Sequence, residues 1–316
     1  MKIVALAVVA AAAASLACNT TAPPSGVASD RSPARTASVS VRDLPVERAS
    51  NVFFARVSLN GKGPFWFTVD TGATLTVIDT ATATSLRVPV EDEGKHRNVG
   101  VASGLTEMRV ARGVTITAGD APPFSPDRLF VVPVRANAGA LGHHIDGVLG
   151  TDFLRRFVVE FDYPAGRVRL HAPSRFAYRG EGAVVPISVE GNVLLARAGV
   201  ALADNRTLTA QMLIDTGSSA RLSFNSPFVR RHKLSRFPTL GLTASVGING
   251  VTAAPVIGLR SLSFGQAVVD RPEVALSQSS SGLNASDDFD GIISAELLSR
   301  FRLFVDYPAG RLILER

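Results

Sequence analysis

The feature that most constrains this chain is a correspondence between its two halves. Residues 145–170 and 289–314 align without gaps at an offset of 144 and are identical at 12 of 26 positions. Chance would supply about one or two, so the match reads as an internal duplication. The shared residues include Asp146/Asp290, Gly147/Gly291, Arg156/Arg300 and Phe157/Phe301. They also include Asp-Tyr-Pro-Ala-Gly-Arg, which begins at Asp162 and again at Asp306. Upstream, Asp70-Thr71-Gly72-Ala73 has a counterpart in Asp215-Thr216-Gly217-Ser218, each behind three residues of strand-like character. The interval from aspartate to the later Asp-Gly glycine is 147 − 70 = 77 residues in one half and 291 − 215 = 76 in the other. Both halves thus present one order of landmarks: Asp-Thr-Gly, a β-rich middle, Asp-Gly with two apolar residues, then a hairpin.

Local patterns read mainly as strands. Residues 51–59 and 65–69 are apolar, β-branched and aromatic, and Gly-Lys-Gly-Pro at 61–64 reads as the turn between them. Residues 158–161 and 303–305 read as strands that turn at the repeated Asp-Tyr-Pro-Ala-Gly-Arg block and return over 167–170 and 311–314. In such a turn Pro presets the first corner and Gly accepts positive φ. Short helices are expected at 152–156 and 296–300, with Asp152 and its counterpart Glu296 capping them or facing solvent. The apolar content of 46% supplies ample core, and the length allows two domains.

Two Asp-Thr-Gly motifs in equivalent places suggest chemistry. Amide hydrolysis by water needs a base to take a proton from the water and an acid to give one to the carbonyl oxygen. Two adjacent carboxyls that share one proton supply both. Glycine allows the close approach, and each threonine can hydrogen-bond across to the opposite segment. A lone Asp-Thr-Gly fits a turn or a helix cap equally well; the shared register favours a pair.

On these motifs the sequence resembles the pepsin and retropepsin superfamily of aspartic peptidases, over about residues 45–316. The resemblance rests on Asp70-Thr71-Gly72-Ala73 with Val148-Leu149-Gly150, and on Asp215-Thr216-Gly217-Ser218 with Ile292-Ile293-Ser294. It implies an all-β fold of two pseudo-symmetric β-barrel lobes, 45–178 and 179–316, with an active-site cleft between them. Asp70 and Asp215 would be catalytic, supported by Thr71, Gly72, Thr216, Gly217 and Ser218. Gly100 and Gly104, and Gly247 and Gly250, would mark glycine-rich flaps. Two departures stand out. Ser294 replaces a glycine, and Ala73 lacks the hydroxyl that Ser218 would offer to the outer carboxylate oxygen. Loss of that bond should raise the pair's effective pKa and move its pH optimum to milder values than in pepsin. The implied partner is a peptide or protein substrate, acted on by a monomer without a cofactor.

The N-terminus reads as an address. Residues 3–14 are unbroken apolar after Lys2, and Ser15-Leu16-Ala17-Cys18 follows. The pattern is a secretory signal over residues 1–18 with a lipobox-like end, followed by a Thr-, Ser-, Pro- and Ala-rich tether to residue 44. Cys18 is the single cysteine, so no internal disulfide exists, and its position makes it the lipidation candidate. The expected location is the periplasm or the outer membrane of a bacterium, with membrane contact through that anchor alone. The net charge of +6 is spread without a basic block, which speaks against nucleic acid as a partner. His143-His144 with Asp146 suits a metal poorly, because adjacent strand residues point to opposite faces. Asp287-Asp288 lacks a calcium-loop spacing. Besides an endopeptidase, two readings stay open: a peptide-binding module of the same fold, and a structural envelope lipoprotein.

Overall fold

The computed structural model describes residues 9–10, 41–97, 105–247 and 250–316. The chain is mostly β. One sheet is built within residues 46–149, in the order Val46–Ala49, Val52–Leu59, Lys62–Val69, Gly147–Leu149, Val77–Asp79, Leu129–Val132, Leu105–Ala111, Val90–Arg97. Ile116–Ala118 also pairs with Val52–Leu59 in this sheet; the other sheet carries the remaining strands and ends with Gly241–Gly247 paired to Val9–Ala10. Neither sheet closes, in contrast to the barrels expected. The path through the first sheet stops at Val90–Arg97, whose exposed Glu91 and Asp92 keep that edge in water.

The halves meet in an antiparallel pairing of Val158–Asp162 with Arg302–Asp306, Glu160 lying opposite Phe304. Outside this central pair lie Arg167–His171 and Val41–Leu44 on one side, and Arg311–Glu315 and Ala183–Glu190 on the other. One buried apolar cluster is continuous across both sheets, from Phe53, Phe67 and Val69 through Phe161 and Leu303 to Ile214 and Phe224. Among the described residues no helix is long and apolar enough to cross a membrane.

The repeated Asp-Tyr-Pro-Ala-Gly-Arg block forms the same turn twice. Asp162 Oδ1 accepts from Ala165 N (3.0 Å) and Asp306 Oδ1 from Ala309 N (3.2 Å). Arg167 and Arg311 bond the other carboxylate oxygens, and Gly166 and Gly310 take φ of 64° and 62°. Asp, Ala, Gly and Arg, four of the six identical residues, thus meet in one local structure, in which glycine takes that φ without strain. Tyr163 is buried against Phe53 at 5.0 Å between ring centroids.

Three boundaries differ from expectation. The second strand runs Lys62–Val69, so Gly63-Pro64 lies inside it; a register shift between Val57 and Leu59 absorbs the irregularity, as at a β-bulge. The short helices fall at Thr151–Leu154 and Ala295–Leu298, slightly earlier than read, because Gly150 and Ser294 already take the N-cap positions.

Candidate active site

Each Asp-Thr-Gly follows a strand held from beneath by a parallel neighbour. Gly147, Val148 and Leu149 lie opposite Phe67, Thr68 and Val69; Gly291, Ile292, Ile293 and Ser294 lie opposite Met212, Leu213, Ile214 and Asp215. The glycines are obligatory. A Cβ on Gly147 would sit 2.5 Å from the Val77 carbonyl oxygen, and one on Gly291 would overlap the Ser223 carbonyl. Asp146 and Asp290 fix the register. Asp146 Oδ2 accepts from Trp66 N (3.0 Å) and Asp290 Oδ2 from Gln211 N (2.8 Å), each bonding the backbone four residues before an Asp-Thr-Gly aspartate. Asp146 is bonded further by Arg135, Thr82 and His144. His143 instead stacks on Phe54 and bonds Glu47, so the two imidazoles do not converge on a common point.

The two motifs interlock. Thr71 Oγ1 donates to Ile214 O (2.7 Å) and accepts from Thr216 N (3.2 Å). Reciprocally, Thr216 Oγ1 donates to Val69 O (2.8 Å) and accepts from Thr71 N (3.1 Å). All four bonds are buried and cross between the halves, so they are well shielded from competing water.

Asp70 and Asp215 are consequently brought together, both fully buried. A Cβ on Gly72 would lie 2.7 Å from Asp215 Cγ, and one on Gly217 would overlap the Asp70 carboxyl. Each glycine of the motif therefore makes room for the opposite aspartate. Asp70 Oδ1 accepts from Gly72 N (2.7 Å) and Ala73 N (3.2 Å); Asp215 Oδ1 accepts from Gly217 N (3.0 Å). The Oδ2 atom of each aspartate has no protein donor among the described residues. Burial pushes Asp70 up to about 7 against the pull of its N–H donors. Asp215 is also raised, first by burial and then by the charge of Asp70. Two carboxyls so placed cannot both ionise easily; they titrate as a unit, and loss of the first proton is shifted toward the near-neutral range.

Several expectations need adjustment. The Ser218 hydroxyl does not serve Asp215: its Oγ accepts from Ala220 N (3.1 Å). The raised carboxyls are explained by burial rather than by a hydroxyl missing at Ala73. Asp152 is half-buried, and its Oδ1 accepts from Phe153 N (2.9 Å) in the first turn of its helix, but it does more than that. Its Oδ1 accepts from Thr76 N (2.8 Å) and Thr76 Oγ1 (2.7 Å), and Thr76 Oγ1 in turn accepts from Gly150 N (3.1 Å). That network holds the loop just past Ala73. The sequence carried no local sign of it, because the partners lie 76 residues apart. Ser294 fits where Gly150 stands in the first half, but its Oγ is buried and unpartnered. Gly247 and Gly250 face each other near the tip of the hairpin Gly241–Gly258. Gly100, Gly104 and Cys18 lie outside the described residues. No group of three or more metal-binding side chains is found among the described residues.

Comparison with known families agrees with the geometry of the first half. Residues 55–153 match the family model described as aspartyl protease, a span that holds Asp70, Thr71, Gly72 and Asp146 through Asp152. The similarity supports an aspartyl protease domain in this part of the chain; Asp215 lies beyond it. No curated protein matches the sequence.

Proposed function

We propose that the chain is an aspartic endopeptidase made of two duplicated lobes, 45–178 and 179–316, with Asp70 and Asp215 as its catalytic pair. The observation that carries this reading is the reciprocal threonine lock, which holds two buried carboxyls close enough to share a proton. In the reaction, the ionised carboxyl takes a proton from water while the protonated one donates to the carbonyl oxygen of the scissile bond. Water adds to the carbonyl carbon, giving a tetrahedral diol. Transfer of a proton to the amide nitrogen then releases the amine as the C–N bond breaks. The Gly72 and Gly217 N–H groups steady the inner oxygens, leaving each Oδ2 for water or substrate. Because both carboxyls are fully buried, this reading requires the surroundings to open for substrate to enter. The hairpin Gly241–Gly258 and the segment around Gly100 and Gly104 are the proposed flaps.

Complete burial of the pair also favours a second reading, a peptide-binding protein of the same fold with weak hydrolysis. One experiment separates the two. Purified protein is assayed on a peptide library across pH beside Asp70→Asn and Asp215→Asn. Cleavage by the wild type that is lost in both variants supports the enzyme; cleavage unchanged in both would refute it; binding without cleavage supports the binder. Export and a lipid anchor at Cys18 rest on the apolar run 3–14 and the residues before that cysteine. Radiolabelled palmitate incorporation that is lost in Cys18→Ala tests them.

A further inference from the structure

One two-residue turn occurs in each half. Ser50 and Asn51 join Val46–Ala49 to Val52–Leu59; Gly191 and Asn192 join Ala183–Glu190 to Val193–Ala201. All four turn residues take positive φ, 63° at Asn51 and 70° at Asn192. Asparagine enters that region more readily than most residues that carry a Cβ. The strands that follow also correspond: Val52, Ala55 and Arg56 stand where Val193, Ala196 and Arg197 stand in the second half. The turn is therefore part of the duplication.

Asn192 uses its side chain to reach the other half. Its Nδ2 donates to Thr74 O (3.0 Å), and its Oδ1 accepts from Arg155 Nη1 (3.0 Å). Arg155 can only donate and a carbonyl can only accept, so the two partners fix which end of the amide faces which. Thr74 lies four residues past Asp70. The same loop is held at Thr71 by Thr216 and at Thr76 by Asp152. Two of these three holds, from Thr216 and Asn192, come from the second half. In the second half Ser299 stands where Arg155 does in the first. Serine is too short to serve as such an arm, and its hydroxyl donates to Glu296 O (3.1 Å) instead. The amide clamp is thus one-sided, on the loop of Asp70.

We infer that Asn192 is a positioning residue for Asp70, by which the second half holds the loop of the first half at Thr74. The catalytic consequence rests on the peptidase reading above. Asp70 Oδ1 takes its donors from Gly72 N and Ala73 N, so a loop released just beyond Ala73 carries those donors away from the carboxyl. Small displacements of a reacting group are costly to the rate. The side-chain bonds of Asn192 go to Thr74 and Arg155 and to neither aspartate, so its loss should act on kcat through the loop.

The test compares wild type with Asn192→Gly, Asn192→Asp and Asn51→Gly. Glycine accepts a φ of 63° or 70°, so both turns survive, and Asn51→Gly removes the matching side chain from the matching turn. Two readouts are taken: kcat and KM on one cleaved peptide, and backbone hydrogen exchange of residues 71–76 followed by mass spectrometry. Asn192→Gly should lower kcat by about tenfold with KM within about twofold, and speed exchange of the loop by about threefold to tenfold, as loss of one hydrogen bond allows. Asn192→Asp sets an oxygen against the Thr74 carbonyl and should lower kcat at least as far. Asn51→Gly should leave both readouts at wild type. Wild-type kcat or wild-type exchange in Asn192→Gly overturns the inference, as does an equal change in Asn51→Gly. If wild type cleaves nothing, the peptidase reading fails and exchange decides alone. Faster exchange in Asn192→Gly but not in Asn51→Gly then keeps Asn192 as the hold on the Asp70 loop, and any other result removes it.

Discussion

Glu160 offers a quantitative test of how the halves are joined. It lies at the centre of the strand pair that bridges them and is fully buried. Its oxygens accept from Arg302 Nη2 (2.7 Å) and Nε (2.9 Å), His171 Nε2 (2.7 Å) and Arg169 Nη1 (3.2 Å). Burial alone would raise its pKa, but the bond from His171 and the bonds and charge of Arg302 outweigh that and lower it from 4.5 to about 2. At 1.36 kcal/mol per unit, the difference corresponds to about 3 kcal/mol of stability at pH 7. Because Arg302 and Arg169 are partly exposed, about 2–3 kcal/mol is the expected effect. The sign follows from the depressed folded-state value. The contribution is complete above pH 4.5 and is lost as pH falls toward 2. Glu160→Gln keeps the shape and removes the charge. Urea denaturation at pH 7 should show it destabilised by about 2–3 kcal/mol, or about 3–5 °C in Tm for a single transition of this size. At pH 3 the difference should shrink to less than half. A loss below about 1 kcal/mol at pH 7, or an equal loss at both pH values, would refute the reasoning.

Three further outcomes are expected. Gly217→Ala places a methyl group on the Asp70 carboxyl; peptide cleavage should fall by about a hundredfold or more, and activity within a few-fold of wild type contradicts the packing. Thr216→Val deprives Thr71 N and Val69 O of their buried partner; chemical denaturation should report a loss of about 2–6 kcal/mol, at about 1–3 per group. The buried pair gives the pH dependence. With Asp70 raised to about 7 and Asp215 raised further by burial and by Asp70, a carboxyl acid persists into the near-neutral range. Cleavage should fall on the alkaline side at pH 7 or above. Raised carboxyls also stabilise the fold below their unfolded pKa near 4 and lose that contribution as pH rises through the folded values. Asp70→Asn should flatten this slope in denaturation measured from pH 4 to pH 8.

What the sequence made legible was whatever is local or repeated. The turns after Asp162 and Asp306 were readable because carboxylate, proline and glycine act within six residues. Asp70 and Asp215 were readable because two motifs share one spacing. Contacts chosen by the tertiary fold were hidden. Asp152 bonds the first turn of its helix as a local reading expects, but its bonds to Thr76 were hidden, and Ser218 looks like a carboxylate partner until its hydroxyl turns to Ala220 N. Gly63-Pro64 reads as a turn because proline removes a donor, yet a shifted register accommodates it within a strand. Asp146 and Asp290 were recognised as repeated residues, but their bonds to Trp66 and Gln211 reach 80 and 79 residues back along the chain.

The central claim is that Asp70 and Asp215 act as one catalytic unit, and a comparison of kcat/KM addresses it most directly. The rates to measure are those of wild type, Asp70→Asn, Asp215→Asn and the double variant on one cleaved peptide. Groups that share a proton fail together, so each single variant should lose nearly all activity and the double should be no worse than either. Independent, multiplying losses, or near-normal activity in either single variant, would contradict the account.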